Sequence, residues 1–232
     1  MSVRLRPLRQ DDADQVLAWR NSPEVSAYMY TDHLISPEEH ARWLAAALTA
    51  ADRAYWIIED DGAPVGLANI VGIDRVRRRC EWAFYLGEAR TRGRGVGAAV
   101  EFIVLDHVFT GLGLHKLWCE VLLENKGVLR LHESYGFQRE AHYRDHVWKG
   151  GRLQDVIGLG LLHGDWVDAR EGCAARLKRV GYEVGDLTLE SAPSVASRQL
   201  PQRGRNSGSE PLRIPPPLGE GDQAKPGGEV QP

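Results

Sequence analysis

Residues 90–100 read RTRGRGVGAAV, three glycines alternating with Arg92, Arg94 and Val96 directly after the apolar run EWAFYLG. A strand that feeds a glycine turn and then opens a helix suits phosphate. The first amides of a helix have no partner inside it, and the helix dipole favours an anion there. Glycine lets the backbone approach the oxygens, and the two arginines add charge. A dinucleotide fingerprint would need G-x-G-x-x-G and a Walker loop Gly-Lys-Ser/Thr, and neither is present. A plain tight turn uses glycines in the same way, so the loop must be read with its neighbours.

Those neighbours form a regular series. Residues 3–8 alternate as a short strand, and DDADQVLAWRN carries a helical stripe through Val16, Leu17 and Trp19. Ser36-Pro37-Glu38-Glu39 starts a second helix that runs to about Ala50, with Ser36 as cap, proline in the first turn and Glu39 closing a capping box. AYWIIED and PVGLANIVGI make a hairpin over Asp61-Gly62, and RCEWAFYLG is the next strand. After the glycine loop, GAAVEFIVLDHVFTGLGL is a helix stopped by glycines, HKLWCEVLL a strand, and NKGVLRLHESYGF a short helix ended by Gly136. A hairpin about Gly150-Gly151 joins REAHYRDHVWK to RLQDVIGLGLL, and residues 164–180 form a last helix. This order predicts an α/β (α+β) domain built on a mixed, mostly antiparallel sheet.

The composition limits the function. A chain of 232 residues, 43% hydrophobic with a formal charge of −3, suits one globular domain with an appendage rather than a nucleic-acid binder, whose domain is usually basic. No apolar run is long enough for a bilayer, and the N-terminus lacks a signal-peptide core, so no membrane partner and a cytoplasmic location are expected. Cys80, Cys119 and Cys173 make neither a disulfide framework nor a zinc pattern. His142 and His146 would lie about 13 Å apart on a strand, too far to share an ion, so no metal is expected. From Ser191 the chain holds eight of its twelve prolines and few aromatic or β-branched residues, which predicts a disordered tail over 191–232 after a domain over 1–180 and a boundary segment over 181–190.

Two spacings carry a family resemblance. Arg92-x-x-Gly95-x-Gly97 after a strand resembles the R/Q-x-x-G-x-G/A pyrophosphate loop of the GNAT acetyltransferase superfamily. Asn125-x6-His132-x3-Gly136-Phe137 is similar to its N-x6-Y-x3-G-F signature, and the likeness spans roughly residues 3–163. The resemblance implies acetyl-CoA as donor and a sheet splayed to receive it. Arg92, Gly93, Arg94, Gly95, Val96 and Gly97 would surround the pyrophosphate. Phe84, Tyr85 and Leu86 would pair by backbone with the pantetheine arm, and Asn125 would help hold the splayed strands and the donor. The resemblance leaves a homodimer open as the assembly.

Direct acetylation of an amine moves two protons: the ammonium must lose one and the departing thiolate must gain one. Glu81 is expected as the base, since the superfamily places a glutamate just before the pantetheine-pairing residues in some members. Burial beside Trp82 would raise its pKa. Glu120 on the following strand is the second candidate. His132 stands where the superfamily has its acidic tyrosine, and Tyr135 is the alternative donor.

The acceptor must be read from the N-terminal helices. Trp19-Arg20-Asn21, Met29-Tyr30, Ile35 and His40 resemble the acetyltransferases of pseudaminic-acid biosynthesis, as does the last hairpin, GGRLQDVIGLGLL. That likeness implies N-acetylation of the 4-amino group of a UDP-4-amino-4,6-dideoxy sugar, in a route ending in flagellin glycosylation or another surface glycan. Arg20 and His40 would meet the phosphates while Met29, Tyr30 and Trp82 flank sugar or base. A peptide α-amine acetyltransferase on the same scaffold is the alternative acceptor reading, and a non-catalytic acyl-CoA-binding module the alternative of another class.

Overall fold

The computed structural model describes residues 1–191 of the chain, so the expected tail lies, past its first residue, outside the described residues. Eight strands form one sheet: β1 Val3–Pro7, β2 Ala54–Asp60, β3 Ala63–Asp74, β4 Arg79–Leu86, β5 Lys116–Leu122, β6 Gln138–Lys149, β7 Arg152–Leu162 and β8 Leu187–Leu189. Their order is β6-β7-β5-β4-β3-β2-β1-β8, antiparallel except where β4 meets β5 and β1 meets β8. The expected hairpins are present because their turns supply the left-handed positions a tight hairpin needs. Asp61 and Gly62 have φ of 49° and 80°, and Gly150 and Gly151 of 58° and 75°.

Strand alternation divides the core. One face carries Trp56, Ile70, Cys80, Trp82, Leu117 and Leu161, which pack under α4 Val96–Asp106, α5 Lys126–Ser134 and α6 His163–Arg179. The other carries Ile57 and Leu67 beneath α1 Ala13–Asn21 and α3 Pro37–Thr49, whose Val16, Trp19, Leu44 and Ala47 complete a smaller cluster. A four-residue helix, α2 Pro23–Ser26, follows α1 directly, with Ser22 accepting from the Val25 amide. Ser36 caps α3 through the Glu39 amide, as the sequence predicts.

Residues 181–190 were expected to be a boundary, and the structure corrects this. β8 pairs in parallel with β1, aligning Val3 with Leu187 and Leu5 with Leu189. The Trp56 indole donates to the Glu190 carbonyl at 2.9 Å, and the Glu190 amide donates to Leu5 at 2.8 Å. The opposite margin, β6, is interrupted by register shifts at Arg139/Ala141 and Tyr143/Val147, with Asp145 at a φ of 49°. Among the described residues no helix is long and apolar enough to cross a membrane.

Gly87, just after β4, lies against the Trp19 indole, and an added Cβ would stand 2.2 Å from that ring. The indole nitrogen is also fixed, donating to Glu88 at 2.8 Å. Gly87→Ala should destabilise the fold by about 1–3 kcal/mol, read as a lower urea midpoint with an unchanged slope; an unaltered midpoint would show that α1 shifts freely.

Candidate active site

β4 and β5 run side by side for three register pairs only, Arg79 with Lys116, Cys80 with Leu117 and Glu81 with Trp118. Beyond Glu81 they part. β4 stays on β3, with Ala68, Leu67 and Gly66 opposite Phe84, Tyr85 and Leu86, while β5 follows β7 through seven pairs. Residues 82–86 therefore present one unpaired backbone edge to a wedge-shaped gap, among the described residues. An extended arm with its own N–H and C=O groups can hydrogen-bond to that edge as an added strand.

The glycine turn adjoins this edge: a Cβ on Gly97 would stand 3.5 Å from the Phe84 ring. Gly93 and Gly95 adopt φ of 75° and 78°, which L side chains rarely do. α4 begins at Val96 with no side-chain cap and no acidic residue in its first turn. Its leading amides are thus left for an outside acceptor such as a diphosphate, so the residues present fit the donor's charged end. Arg92 is exposed and makes no ion pair among the described residues. Arg94 differs from the expectation. Its guanidinium lies 3.3 Å from Asp60 and 3.2 Å from Asp61, so it ties the turn to the β2–β3 hairpin. Asn125 caps α5 through the Val128 amide, the position of a strand-to-helix joint rather than of a direct ligand.

On the sheet face under α1 and α3, Glu81, Ala83 and Tyr85 point the same way as Leu67, Asn69 and Val71 of β3. Glu81 is partly buried, and burial together with the nearby Glu120 charge raises its carboxyl above the ordinary range. Glu120 accepts the Tyr30 hydroxyl at 2.8 Å, and burial and that carboxylate push the phenol pKa up. Tyr30 thus reaches across from the segment between α2 and α3 to the base of the gap. The same segment is fastened to the β6–β7 turn, where the Lys149 ammonium donates to the Thr31 carbonyl at 3.1 Å and the Gly150 amide to Asp32 at 3.0 Å. At its other end the Asn21 amide group exchanges two hydrogen bonds with the Ile35 backbone.

Between this segment, α3 and the sheet is a cavity of about 280 Å³. Arg20, Met29 and His40 line it with Phe84 and Tyr85, so five residues expected from sequence on separate elements do meet. Asn69, Tyr55, Trp43 and Leu67 are also in its walls and were not foreseen. Burial and Arg20 lower the His40 pKa, so its imidazole is neutral near pH 7; its Nε2, like the Tyr85 hydroxyl, has no hydrogen-bond partner among the described residues. Glu81 stands just beyond the cavity, two residues from Ala83, about 7 Å along the strand.

Three expected site residues are not on this face. Trp82 alternates away from Glu81 and is 1% exposed, stacked on Phe84 with centroids 5.4 Å apart. It is core, and the burial of Glu81 comes from elsewhere. Tyr135 donates its hydroxyl to the Ala98 carbonyl at 2.7 Å and stacks on Trp166, so it points away from the gap. His132 is 3% exposed, its Nδ1 2.9 Å from Glu101 Oε1, with Cys119 as a further hydrogen-bond partner. Sequence reasoning missed Glu101, whose only signal was a charge in the apolar run AAVEFIVL.

Comparison with known proteins gives the family and the fold. The family profile described as "Acetyltransferase (GNAT) domain" matches residues 2–138. Spermidine N(1)-acetyltransferase of Escherichia coli strain K12 is 26% identical over 161 residues, 69% of this chain and 86% of the relative. Acetyltransferase PseH of Campylobacter jejuni strain 81-176 is 25% identical over 130 residues, 56% of this chain and 79% of the relative. The solved Vibrio cholerae spermidine N-acetyltransferase in complex with CoA and spermine superposes with a TM-score of 0.67 at 24% identity, covering 72% of this chain and 98% of that one, and shares the fold.

The buried pair should register in stability. Burial alone would lower the His132 pKa, but the Glu101 charge and its hydrogen bonds hold it raised to about 10, and burial raises Glu101 too. The raised His132 pKa makes the folded form retain the imidazole's proton, so this contribution is complete below about 6.5 and lost as pH rises through about 10. Urea midpoints between pH 6.5 and 10 should fall in the wild type and stay flatter in the apolar pair Glu101→Leu/His132→Phe; equal slopes would refute the coupling.

Proposed function

The chain belongs to the acetyltransferase (GNAT) domain family, and on that premise we propose that it transfers an acetyl group to the amine of a UDP-4-amino-4,6-dideoxy sugar. The family's donor, acetyl-CoA, supplies the acetyl group as a thioester. The turn at residues 92–97 and the first amides of α4 receive its diphosphate, and the open edge of β4 pairs with the arm that follows. A backbone N–H on that edge stabilises the oxygen on which negative charge develops.

Glu81 is the base in this reading. A carboxyl raised by burial and by Glu120 is a better match to an ammonium than an ordinary one, and it accepts the proton before nitrogen attacks. The new N–C bond forms as the C–S bond breaks, and the thiolate leaves with a proton. Neither Tyr135 nor His132 is turned to deliver that proton, so water entering the gap, or the attacking nitrogen itself, is its source.

The charge of the cavity carries the acceptor assignment. Among the described residues Arg20 is its cation, and its one carboxylate, Glu39, is already engaged by His33 at 3.0 Å. With neutral His40 and the aromatic rings of Trp43 and Tyr55, this favours an acceptor bearing phosphate and a ring. A polyamine is the second reading, favoured by the spermidine acetyltransferases among the relatives and by the carboxylates Glu81 and Glu120.

Mass spectrometry of reactions with acetyl-CoA and a panel of UDP-4-amino sugars, spermidine and an N-terminal peptide separates these. One added acetyl group on a UDP-4-amino sugar is the expected result; preferential acetylation of spermidine or peptide would replace it. Glu81→Gln should lower kcat by about 10²–10⁴ and abolish the acid limb of the pH profile, because activity rises as pH passes the raised carboxyl pKa. An intact limb would remove Glu81 from the chemistry.

A further inference from the structure

We propose that residues 180–190 are a positioning element for the donor's diphosphate turn, supplied by a part of the chain beyond the family match at residues 2–138. The inference rests on the reading that this turn binds the diphosphate. α6 ends by handing the Val180 and Tyr182 amides back to the Leu177 carbonyl, with Gly181 at a φ of 93°. The reversal brings Val180 and Tyr182 against the turn itself. A Cβ on Gly95 would stand 3.3 Å from Val180 Cγ2 and 3.4 Å from Tyr182 Cε2. The Tyr182 ring is fully buried and belongs to the main core, while β8, a few residues on, is sewn to β1.

A second tether meets the turn through Arg94. Arg94 lies against Asp60, whose side chain is fully buried, and Asp61, and Asp61 is in turn held by the backbone amide and hydroxyl of Ser2. The loop is thus held by both the β2–β3 hairpin and the C-terminal segment. A glycine-rich turn freed from these contacts would sample many conformations, and a ligand would have to select the one with converging amides. Gripping it beforehand lowers that cost. The Tyr182 hydroxyl has no hydrogen-bond partner among the described residues, so its ring carries the effect and phenylalanine should replace it.

Calorimetric titration of the full chain with CoA tests this, together with KM values for acetyl-CoA and acceptor. Tyr182→Ala should weaken CoA binding about tenfold and raise the acetyl-CoA KM in step, leaving the acceptor KM unchanged, while Tyr182→Phe binds like wild type. Val180→Ala, at the other side chain of this segment against Gly95, keeps the test open if Tyr182→Ala does not fold. Weaker CoA binding supports the tether; unchanged or tighter binding overturns it. Wild-type affinity in a folded Tyr182→Ala also overturns it, and failure of the wild type to bind CoA at all removes the underlying reading instead.

Discussion

The parting of β4 from β5 is the constraint on which the molecule is organised. An unpaired strand edge inside a sheet is costly unless something fills it, because its amides and carbonyls have left water without a partner. Here the edge is kept open by competing loyalties: β4 is bound to β3 along its length and β5 to β7. Beneath the split, Trp82, Phe84, His132 and Phe137 pack ring against ring in the core. The uncapped start of α4, the carboxylates of β4 and β5 and the cavity under α3 are all placed relative to that gap.

The ion pair of Glu101 and His132 belongs to the same wedge. A carboxylate at the centre of an otherwise apolar helix is expensive to bury, and removing one partner from such a pair costs more than replacing both. Where the family signature has a tyrosine, this chain has an imidazole, and α4 carries the matching acid. The two positions are 31 residues apart and read as unrelated until the helices pack.

Much of the architecture was legible because its signals are local. Ser36-Pro37, Asp61-Gly62 and Gly150-Gly151 each fix a cap or turn within a few residues, and the structure has all three. The glycine turn was legible for the same reason. What failed was side-chain direction. Glu81 and Trp82 are adjacent on a strand, so their side chains face opposite ways, and that of Trp82 enters the core. Tyr135 failed because the end of a short helix does not reveal which way its last residues turn. Arg94 was read as a phosphate ligand from charge alone, and its partners lie on a hairpin 33 residues earlier. The strand at residues 187–189 was missed because three residues beside a proline-rich region carry no period to count.

The two margins of the sheet are protected in different ways. β8 lies along β1 and occupies its hydrogen-bonding groups, and on the far side β6 is broken twice by bulges among charged residues. Among the described residues neither rim offers a long, flat template to another chain. A sheet that must keep one internal seam open for a visiting molecule is thereby closed at its outer borders, which keeps β-addition selective for the intended guest and guards the protein against self-propagating fibrils.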